Sequence, residues 1–222
     1  MPLTLAIDCA LRQLNLSLSD DLRLYGDISL HVDVRQSELL PSVVEGFLSS
    51  LGVKLPDIGL IAVTTGPGYY TGVRVGLSYA STLAWSLGIR IAPVPTLYAV
   101  AFGLLDVMRA LEINHPVAPV IDAGKNSLYG AVYGIESSGC EIICEPSFFV
   151  DYDFITLLGS IGGETRPVMV TSCDTSNDIL KKSAYRIAHT VSSIGRSMAS
   201  ISKLVVTVAP EEARASYLRS PA

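Results

Sequence analysis

The chain has 222 residues and a net charge of −5, and its composition is 49% hydrophobic and 17% charged. This length suffices for one large domain or two small lobes, while the negative charge excludes a protein that binds nucleic acid through its overall charge. A mean hydropathy of +0.43 is high for a soluble monomer and favours an additional buried surface, such as a subunit interface.

Alternating apolar and polar residues at the start of the chain predict strands. Four are expected, at 3–8, 14–19, 22–26 and 28–32. Together they predict a meander of antiparallel strands that is covered on one face. A helix follows, because Leu40, Val43 and Phe47 recur at helical spacing between Ser37, a suitable N-cap, and Gly52, a suitable stop.

The stretch TTGPGYYTGVR, Thr64–Arg74, joins a predicted strand at 60–65 to the start of a helix. Its glycines permit a positive φ or a close backbone approach. The free amides of the new helix could bind a carboxylate or a phosphate, or the connection could hold nothing. The residues that would contact an anion or a nucleotide are Asp8, Gly66, Gly68, Thr71 and Gly72. The chain as a whole favours a rigid corner that launches the helix over an anion cradle.

The helix predicted after this turn carries no charged residue over 75–89. Gly76, Ala80 and Ala84 recur every four residues and form a strip with little side chain, which lets another helix approach closely. A helix that is apolar most of the way round lies deep in a core or is shared with a partner. The sequence leaves both open, and the expected neighbour is the preceding helix.

The second half of the chain carries weaker signals. A short strand at 91–94 and a helix that starts at Thr96 precede a linker candidate at 114–116. Strands are expected near 141–144, 148–150 and 167–171, with a short helix near 154–158. A last helix is expected from the spacing of Ile187, Val191, Ile194, Met198 and Ile201.

A short internal repeat relates the two halves at an offset of 114 residues. AIDCALRQLNLSLSD at 6–20 resembles VIDAGKNSLYGAVYG at 120–134, so that Asp8 matches Asp122. Such a repeat predicts two lobes of one design, as in the actin and sugar-kinase class, where strand-end aspartates form a phosphate and metal cleft. Two ordinary strand-end aspartates that bond local amides would give the same pattern. Because neither is followed by a glycine-rich phosphate loop, we favour this structural role over nucleotide catalysis with magnesium.

The sequence lacks several catalytic constellations. Gly72-Val73-Arg74 stands where a P-loop needs Gly-Lys-Ser/Thr, no GxSxG elbow occurs, and the three histidines are too scattered for a zinc peptidase. With no CxxC pair, no signal peptide and no apolar run of roughly 20 residues, we expect a cytoplasmic protein with reduced thiols. Residues 176–222 hold seven lysines and arginines against three acids, which is typical of a solvated face but could contact RNA or an acidic partner.

Six segments occur in an order that belongs to one known family: AIDCA at 6–10, RQSELLP at 35–41, GPGYYTGVRVGLSYASTLAW at 66–85, PTLYAVA at 95–101, VIDAGKNSLYGAVY at 120–133 and SYLR at 216–219. With them the chain resembles the TsaB (YeaZ) family, the smaller glycoprotease-like protein of bacterial tRNA threonylcarbamoyladenosine synthesis. The match covers most of residues 1–134 and is thin from about 140 to 210. GPGxxTGxR is its specific part.

The resemblance implies an actin-like (ribonuclease H-like) α/β fold of two lobes, 1–112 and 113–222, with mixed sheets, helices and a reduced second lobe. It implies a non-catalytic partner of the larger paralogue TsaD, with no catalytic or metal-binding residues and no cofactor of its own. Nucleotide or magnesium is expected only at the partner interface. The implied partners are a TsaD-like paralogue, a TsaE-like ATPase, a second copy of the chain in their absence, and tRNA only through the complex; no membrane is involved.

The resemblance also implies that the chain pairs through two helices of its first lobe, 38–51 and 72–87. The interface residues expected on them are Leu40, Val43, Phe47, Val73, Gly76, Tyr79, Ala80, Leu83 and Ala84. Ala80→Glu is then expected to break the dimer by burying an unpaired charge. The chain departs from the family pattern at Tyr69-Tyr70, where Ser-Phe is usual, at Gln36, often histidine, and at Ala215, where proline is common.

Two other functions stay open at this point. One is an independent enzyme of the same fold, an ATP-dependent phosphotransferase or a peptidase that uses Asp8 and Asp122. Loss of a measurable ATP turnover in Asp8→Ala would support that enzyme. The other is a homodimeric structural protein, which capture of a TsaD-like paralogue would contradict.

Overall fold

The structure is a computed structural model that describes residues 2–32, 35–135, 140–150, 152–162, 168–172, 187–189 and 194–218. Two compact units divide the chain: unit 1 is Met1–Thr96 with Ser193–Ser216, and unit 2 is Leu97–Ser192 with Tyr217–Ala222. The lobes expected from the sequence, 1–112 and 113–222, differ from these units by assigning 97–112 to the first and 193–216 to the second. Of the described helices, none is both long and apolar enough to span a membrane.

Unit 1 is built on a five-stranded sheet. Its strands are β1 (Leu3–Asp8), β2 (Gln13–Ser19), β3 (Leu24–His31), β4 (Ile58–Thr64) and β5 (Arg90–Val94). They lie in the order β3-β2-β1-β4-β5, with β1, β2 and β3 antiparallel and β4 and β5 parallel to β1. The predicted meander is confirmed, but the two short strands expected at 22–26 and 28–32 form one strand. It continues through Gly26, where a Cβ would lie 3.1 Å from the side chains of Phe47 and Leu51, so that glycine lets α1 pack closely on the strand.

Two long helices cover one face of this sheet, α1 (Gln36–Ser50) and α2 (Tyr70–Leu87). The apolar alternation of the strands faces them: Leu14, Leu16 and Leu18 are fully buried in one cluster with Leu40 and Ala80. The helices therefore form because their apolar stripes match the apolar face of the sheet.

A third, short helix (Gly195–Ile201) covers the opposite face of the sheet. Met198 and Ile201 on this short helix are fully buried, and Ser17 on β2 donates a 2.8 Å hydrogen bond to the carbonyl oxygen of Gly195. The expectation that the meander is covered on one face is therefore wrong. The alternating pattern predicts that Asn15 and Ser17 face solvent, but both side chains are fully buried. Ser17 is covered by a helix whose first residue, Gly195, lies 178 residues further along the chain.

Unit 2 repeats the design of unit 1. Its elements are α3 (Thr96–Ala110), β6 (Val117–Gly124), β7 (Ser127–Ile135), β8 (Cys140–Val150), α4 (Asp153–Ile161), β9 (Met169–Ser172) and β10 (Ile187–His189). The short helix that covers β2 in unit 1 follows them in the chain and is called α5 (Gly195–Ile201). The second sheet has the order β10-β9-β6-β7-β8. Each sheet thus places its first strand at the centre, its next two antiparallel on one side and its last two parallel on the other.

This shared topology confirms the internal repeat and the actin-like (ribonuclease H-like) α/β fold. Three local predictions were wrong. The strands expected at 141–144 and 148–150 are one strand, β8, which continues through Pro146 at the edge of its sheet. The helix expected from Ile187 begins only at Gly195, because 187–189 pair in parallel with β9; Val191 lies outside the described residues. The linker candidate at 114–116 joins α3 to β6 within unit 2.

The segment 206–216, here called the C-terminal strap, pairs with the outer edge of β5 through Thr207 and Val208. Ile91 and Val208 exchange two backbone hydrogen bonds of 3.0 and 2.8 Å. Arg90 donates to the hydroxyl and the carbonyl oxygen of Thr207. The strap therefore occupies a sheet edge that would otherwise present unpaired amides to other chains.

Candidate functional site

Asp8, the last residue of β1, is a fully buried carboxylate with both oxygens engaged. Its Oδ1 accepts hydrogen bonds from the Ala10 amide at 2.9 Å and the Thr64 hydroxyl at 2.7 Å. Its Oδ2 accepts from Asn15 Nδ2 at 2.7 Å. The carboxylate thus ties the end of β1 to the neighbouring strands β2 and β4.

Burial opposes the charge at this position. It raises the pKa of Asp8 although the three hydrogen bonds lower it. Burial, with the neighbouring Asp8 charge, also raises the pKa of the Cys9 thiol. Cys9 therefore stays protonated and is a poor nucleophile.

Asp122, the matching residue of the internal repeat, makes a similar local contact. Its carboxylate accepts a 3.3 Å hydrogen bond from the amide of Gly124, two residues further on, just as Asp8 accepts from Ala10. Both aspartates therefore bond the turn that follows their strand, as the structural interpretation of the repeat requires. Among the described residues, no three His, Cys, Asp or Glu side chains come together as metal ligands would.

The glycine-rich turn packs directly on the β1–β2 turn. The Tyr69 amide donates a 2.7 Å hydrogen bond to the carbonyl oxygen of Ala10. A methyl group at Gly68 would overlap that same oxygen, and one at Gly72 would overlap the carbonyl oxygen of Cys9. These glycines are thus explained by close backbone approach within the chain. Their contact with an anion or nucleotide, and that of the exposed Thr71, stays a prediction.

Gly66 meets the strap and the start of α3. Its φ of +103° suits glycine, and a methyl group there would lie 2.6 Å from the carbonyl oxygen of Ser216. The Ser216 amide donates to Thr65 O at 2.7 Å, and Gly66 and Thr96 exchange hydrogen bonds of 3.0 and 3.1 Å. These contacts join Ser216 of the strap to the glycine-rich turn.

Gln36, the first residue of α1, is tied to the same place. Its side chain is buried, and its Nε2 donates to the carbonyl oxygens of Leu11 at 2.9 Å and Gln13 at 3.3 Å. Its Oε1 lies against Gly72, the third residue of α2. Both long helices therefore begin on the β1–β2 turn. We call this arrangement, residues 8–12 with Gln36 and 66–72, the strand-end hub.

The strip Gly76, Ala80 and Ala84 faces the chain's own sheet. Ala80 and Ala84 are fully buried in the core cluster of unit 1, and a methyl group at Gly76 would lie 3.3 Å from Cys9 Cβ. The small side chains let α2 lie close on the strands. This strip was expected to contact a partner helix. That expectation is corrected, because Gly76, Ala80 and Ala84 are buried against the sheet of their own chain.

The nine expected interface residues fall into two groups. Six are buried within the chain: Leu40, Phe47, Val73, Gly76, Ala80 and Ala84. Three keep exposed area, namely Val43, Tyr79 and Leu83. All three pack against the core cluster of unit 1 at its margin. Their contact with a partner stays a prediction.

The outward side of α1 and α2 was missed by sequence reasoning. Its exposed members, here called the two-helix face, are Ser42, Glu45 and Ser49 on α1 and Ser78, Thr82 and Trp85 on α2. Trp85 is the only tryptophan and is 76% exposed. Tryptophan is enriched among the residues that dominate binding at protein interfaces, which makes Trp85 a candidate anchor. Ser78, Thr82 and Trp85 are spaced at i, i+4 and i+7, which places them on one side of α2, opposite Gly76, Ala80 and Ala84. This spacing could have identified the exposed side from the sequence.

Tyr70 and Arg74 form a pair on the first turn of α2. Arg74 Nη1 donates a 3.0 Å hydrogen bond to the Tyr70 hydroxyl, and the guanidinium carbon lies 5.3 Å from the ring centroid. The pair lines a shallow depression of about 290 Å³, together with Thr71, Val75 and Ser78. The tyrosine thus holds the arginine side chain at the surface.

The pH dependence of folding tests the buried state of Asp8. Because its pKa is raised above the ordinary 3.8, the folded protein binds this proton more tightly than the unfolded one. The stabilisation is present at low pH and is lost as pH rises from 3.8 through the raised pKa, by about 1.4 kcal/mol per pH unit in that window. Asp8→Asn is expected to remove this dependence of stability on pH. The new amide can be accommodated, because a rotation of the Asn15 side-chain amide would turn its Oδ1, which has no partner among the described residues, toward residue 8 as an acceptor.

Urea unfolding of both proteins from about pH 4 to pH 8 measures the effect. The difference in free energy of unfolding should grow with pH in favour of Asp8→Asn. Parallel curves over the whole range would contradict the buried, destabilised carboxylate.

Comparison with known proteins gives consistent matches. A family model described as "TsaD: tRNA N6-adenosine threonylcarbamoyltransferase" matches residues 32–210. The tRNA threonylcarbamoyladenosine biosynthesis protein TsaB of Bacillus subtilis (strain 168) is 27% identical over 172 residues, 78% of this chain and 71% of that protein. TsaB of Escherichia coli (strain K12) is 32% identical over 139 residues, 61% of this chain and 56% of that one. The solved structure of YeaZ from Pseudomonas aeruginosa shares the fold, with a TM-score of 0.76 at 19% identity over 98% of this chain and 100% of the other.

Proposed function

We propose, from the premise that this chain belongs to the TsaB (YeaZ) family within the wider TsaD family, that it is a non-catalytic subunit in tRNA threonylcarbamoyladenosine synthesis. It binds the TsaD-type transferase and supports its activity. The contact surface is the two-helix face, extended by the half-buried Val43, Tyr79 and Leu83. In the absence of the transferase the same face pairs with a second copy of the chain, and a TsaE-type ATPase joins the complex.

The observation that carries this proposal is the common seat of α1 and α2 on the strand-end hub. Gln36 at the start of α1 and Gly72 in the first turn of α2 both contact the β1–β2 turn. The first turns of the two helices are therefore anchored on the same turn of the sheet. A pre-organised pair of helices loses little entropy on binding, which favours affinity.

The strand-end residues support a role without catalysis. Both oxygens of Asp8 are engaged by the chain itself, and the Cys9 thiol is held protonated by burial. ATP turnover by the purified chain that disappears in Asp8→Ala would contradict this part of the proposal, provided that the variant folds.

Trp85→Ala tests the proposed surface. Because an exposed tryptophan that becomes buried at an interface is often a dominant contact, we expect the affinity for the TsaD-type paralogue to fall about thirtyfold. Titration calorimetry with the purified paralogue measures it. Tyr152→Ala is the control, since Tyr152 is a 53% exposed aromatic residue of unit 2. Equal affinity of Trp85→Ala and the unchanged chain would remove α2 from the interface.

Reconstitution tests the function itself. A mixture of the paralogue, the ATPase and tRNA should modify adenosine only when this chain is added. Trp85→Ala should restore the same rate only at about thirtyfold higher concentration, in line with its expected loss of affinity. Full modification without the chain would overturn the proposed role.

A further inference from the structure

Gln36 joins three elements of unit 1 through one side-chain amide. It is the first residue of α1 and is only 3% exposed. Its Nε2 donates hydrogen bonds to the carbonyl oxygens of Leu11, on the β1–β2 turn, and Gln13, at the start of β2. Its Oε1 lies 2.6 Å from the position that a methyl carbon would take at Gly72 of α2. The same amide therefore contacts the sheet and the beginnings of both long helices.

The hydrogen bonds of Gln36 are a directional link between α1 and the sheet. Among the described residues of α1, the other side-chain hydrogen bonds are those of Ser42 and Ser50, and both end on carbonyl oxygens of the same helix. The helix otherwise packs on the sheet through apolar residues such as Leu40 and Val44. Apolar burial is non-directional, whereas a hydrogen bond weakens steeply when its distance or angle changes. The amide thus adds a restraint against a slide of α1 along its axis.

The beginning of α2 is anchored on the same turn of the sheet. The Tyr69 amide donates a 2.7 Å hydrogen bond to the carbonyl oxygen of Ala10. Gly72 packs against the carbonyl oxygen of Cys9 so closely that a methyl group there would overlap it. Carbonyl oxygens between residues 9 and 13 therefore hold the first turns of both helices. A change in one of these contacts alters the position of one helix relative to the other.

We propose that Gln36 is a positioning residue for the two-helix face: its amide sets the position of α1 along its axis relative to α2. This position fixes the spacing between the α1 and α2 residues that meet a partner. The buried Gln36 side chain acts through the helices. The proposal rests on the proposed function for the identity of that partner, the TsaD-type paralogue. Helices held at the spacing of the bound state lose less entropy on binding.

Gln36→Met tests the restraint. Methionine has a similar length but no hydrogen-bond donor. In the chain alone, amide hydrogen exchange followed by mass spectrometry should become about fivefold faster in peptides that cover the first two turns of α1 and of α2, because these turns open more often. Titration calorimetry should show about tenfold weaker binding of the paralogue, which is within the range known for residues that act without touching the ligand.

Ser17→Ala is the matched control for stability. It also removes one buried hydrogen bond from a side chain to a carbonyl oxygen, that of Gly195, but on the opposite face of the same sheet. The midpoint of urea unfolding should fall in both variants. Because α1 and α2 are not involved in the Ser17 bond, Ser17→Ala should keep the exchange rates of the helix starts and the paralogue affinity within about twofold.

Gln36→Glu supplies a hydrogen-bond donor that depends on pH. The ionised carboxylate has no hydrogen to offer to the carbonyl oxygens of Leu11 and Gln13, whereas the neutral carboxyl group can donate one hydrogen bond. Burial favours the neutral form. Relative to the unchanged chain at the same pH, the paralogue affinity of this variant should therefore recover at about pH 5 and fall to that of Gln36→Met at about pH 8.

Other charged groups around position 36 are common to all the proteins compared, so their titration cancels in this ratio. On the described elements they are Asp8, Arg12, His31, Arg35, Glu38 and Arg74; Asp33 lies outside the described residues.

Three results would overturn the proposal: unchanged exchange at both helix starts in Gln36→Met, an equal loss of paralogue affinity in Gln36→Met and Ser17→Ala, or an affinity ratio of Gln36→Glu that does not vary with pH. If the unchanged chain did not bind the paralogue, the proposed function would fail. The exchange rates of the chain alone would then still decide whether Gln36 positions the two helices, so the two failures are separate results.

Discussion

Ala80→Glu is expected to destabilise unit 1 strongly rather than to separate two folded chains. Ala80 is fully buried against the sheet, within the core cluster. A carboxylate there has no room and no partner, and such a substitution typically costs more than about 4 kcal/mol. Because a domain of this kind is stable by only about 5–15 kcal/mol, urea unfolding followed by circular dichroism should show a large loss of stability.

Thr82→Glu is the matched substitution on the outward side of the same helix. Because Thr82 is exposed, the free energy of unfolding of the Thr82→Glu variant should stay within about 0.5 kcal/mol of that of the unchanged chain. Its charge lies on the two-helix face and should weaken pairing with the paralogue. A folded Ala80→Glu that has lost only its partner would restore the small-residue strip as the interface and contradict the structure.

Gly72→Ala is expected to be the most damaging single-methyl change in the hub. The new Cβ would overlap the carbonyl oxygen of Cys9 and crowd the side-chain oxygen of Gln36. The first neighbour is a backbone atom of a buried turn, so relief requires α2 to move off the sheet. We expect a loss of about 3 kcal/mol in the free energy of unfolding, measured by urea titration.

Gly46→Ala provides the control within the neighbouring helix. Gly46 is inside α1, and a methyl group there would meet nothing within 4 Å. Alanine should stabilise this helix by about 0.5–1 kcal/mol. If the two substitutions changed stability by the same amount, the close contact at Gly72 would be wrong.

The architecture was accessible from the sequence because its signals are local. Alternation identified β1 and β2, the helical spacing of Leu40 and Phe47 identified α1, and the offset between Asp8 and Asp122 identified the repeat. These patterns arise from each element burying one side of itself. They required no knowledge of which other element covers that side.

The identity of the covering element is what the sequence left open. Gly76, Ala80 and Ala84 indicate a close approach, but a sheet and a partner helix both select small residues, and the structure chooses the sheet. Ser17 on β2 reads as solvent-facing because the residue that accepts its hydrogen bond, Gly195, is distant in sequence. Candidate site residues were misjudged for the same reason, since burial depends on contacts between segments that no local pattern records.

The discontinuity of unit 1 has a consequence for the synthesis of this protein. Residues 1–96 leave the ribosome well before 193–216, yet both belong to one compact body. Until α5 is translated, the polar side of β2 lacks its cover, and until the strap is translated, the edge of β5 is open. The first half of the nascent chain therefore waits in an incomplete state while all of unit 2 is made. An open strand edge of this kind favours pairing with other chains, so that interval is when the nascent chain is most prone to aggregate.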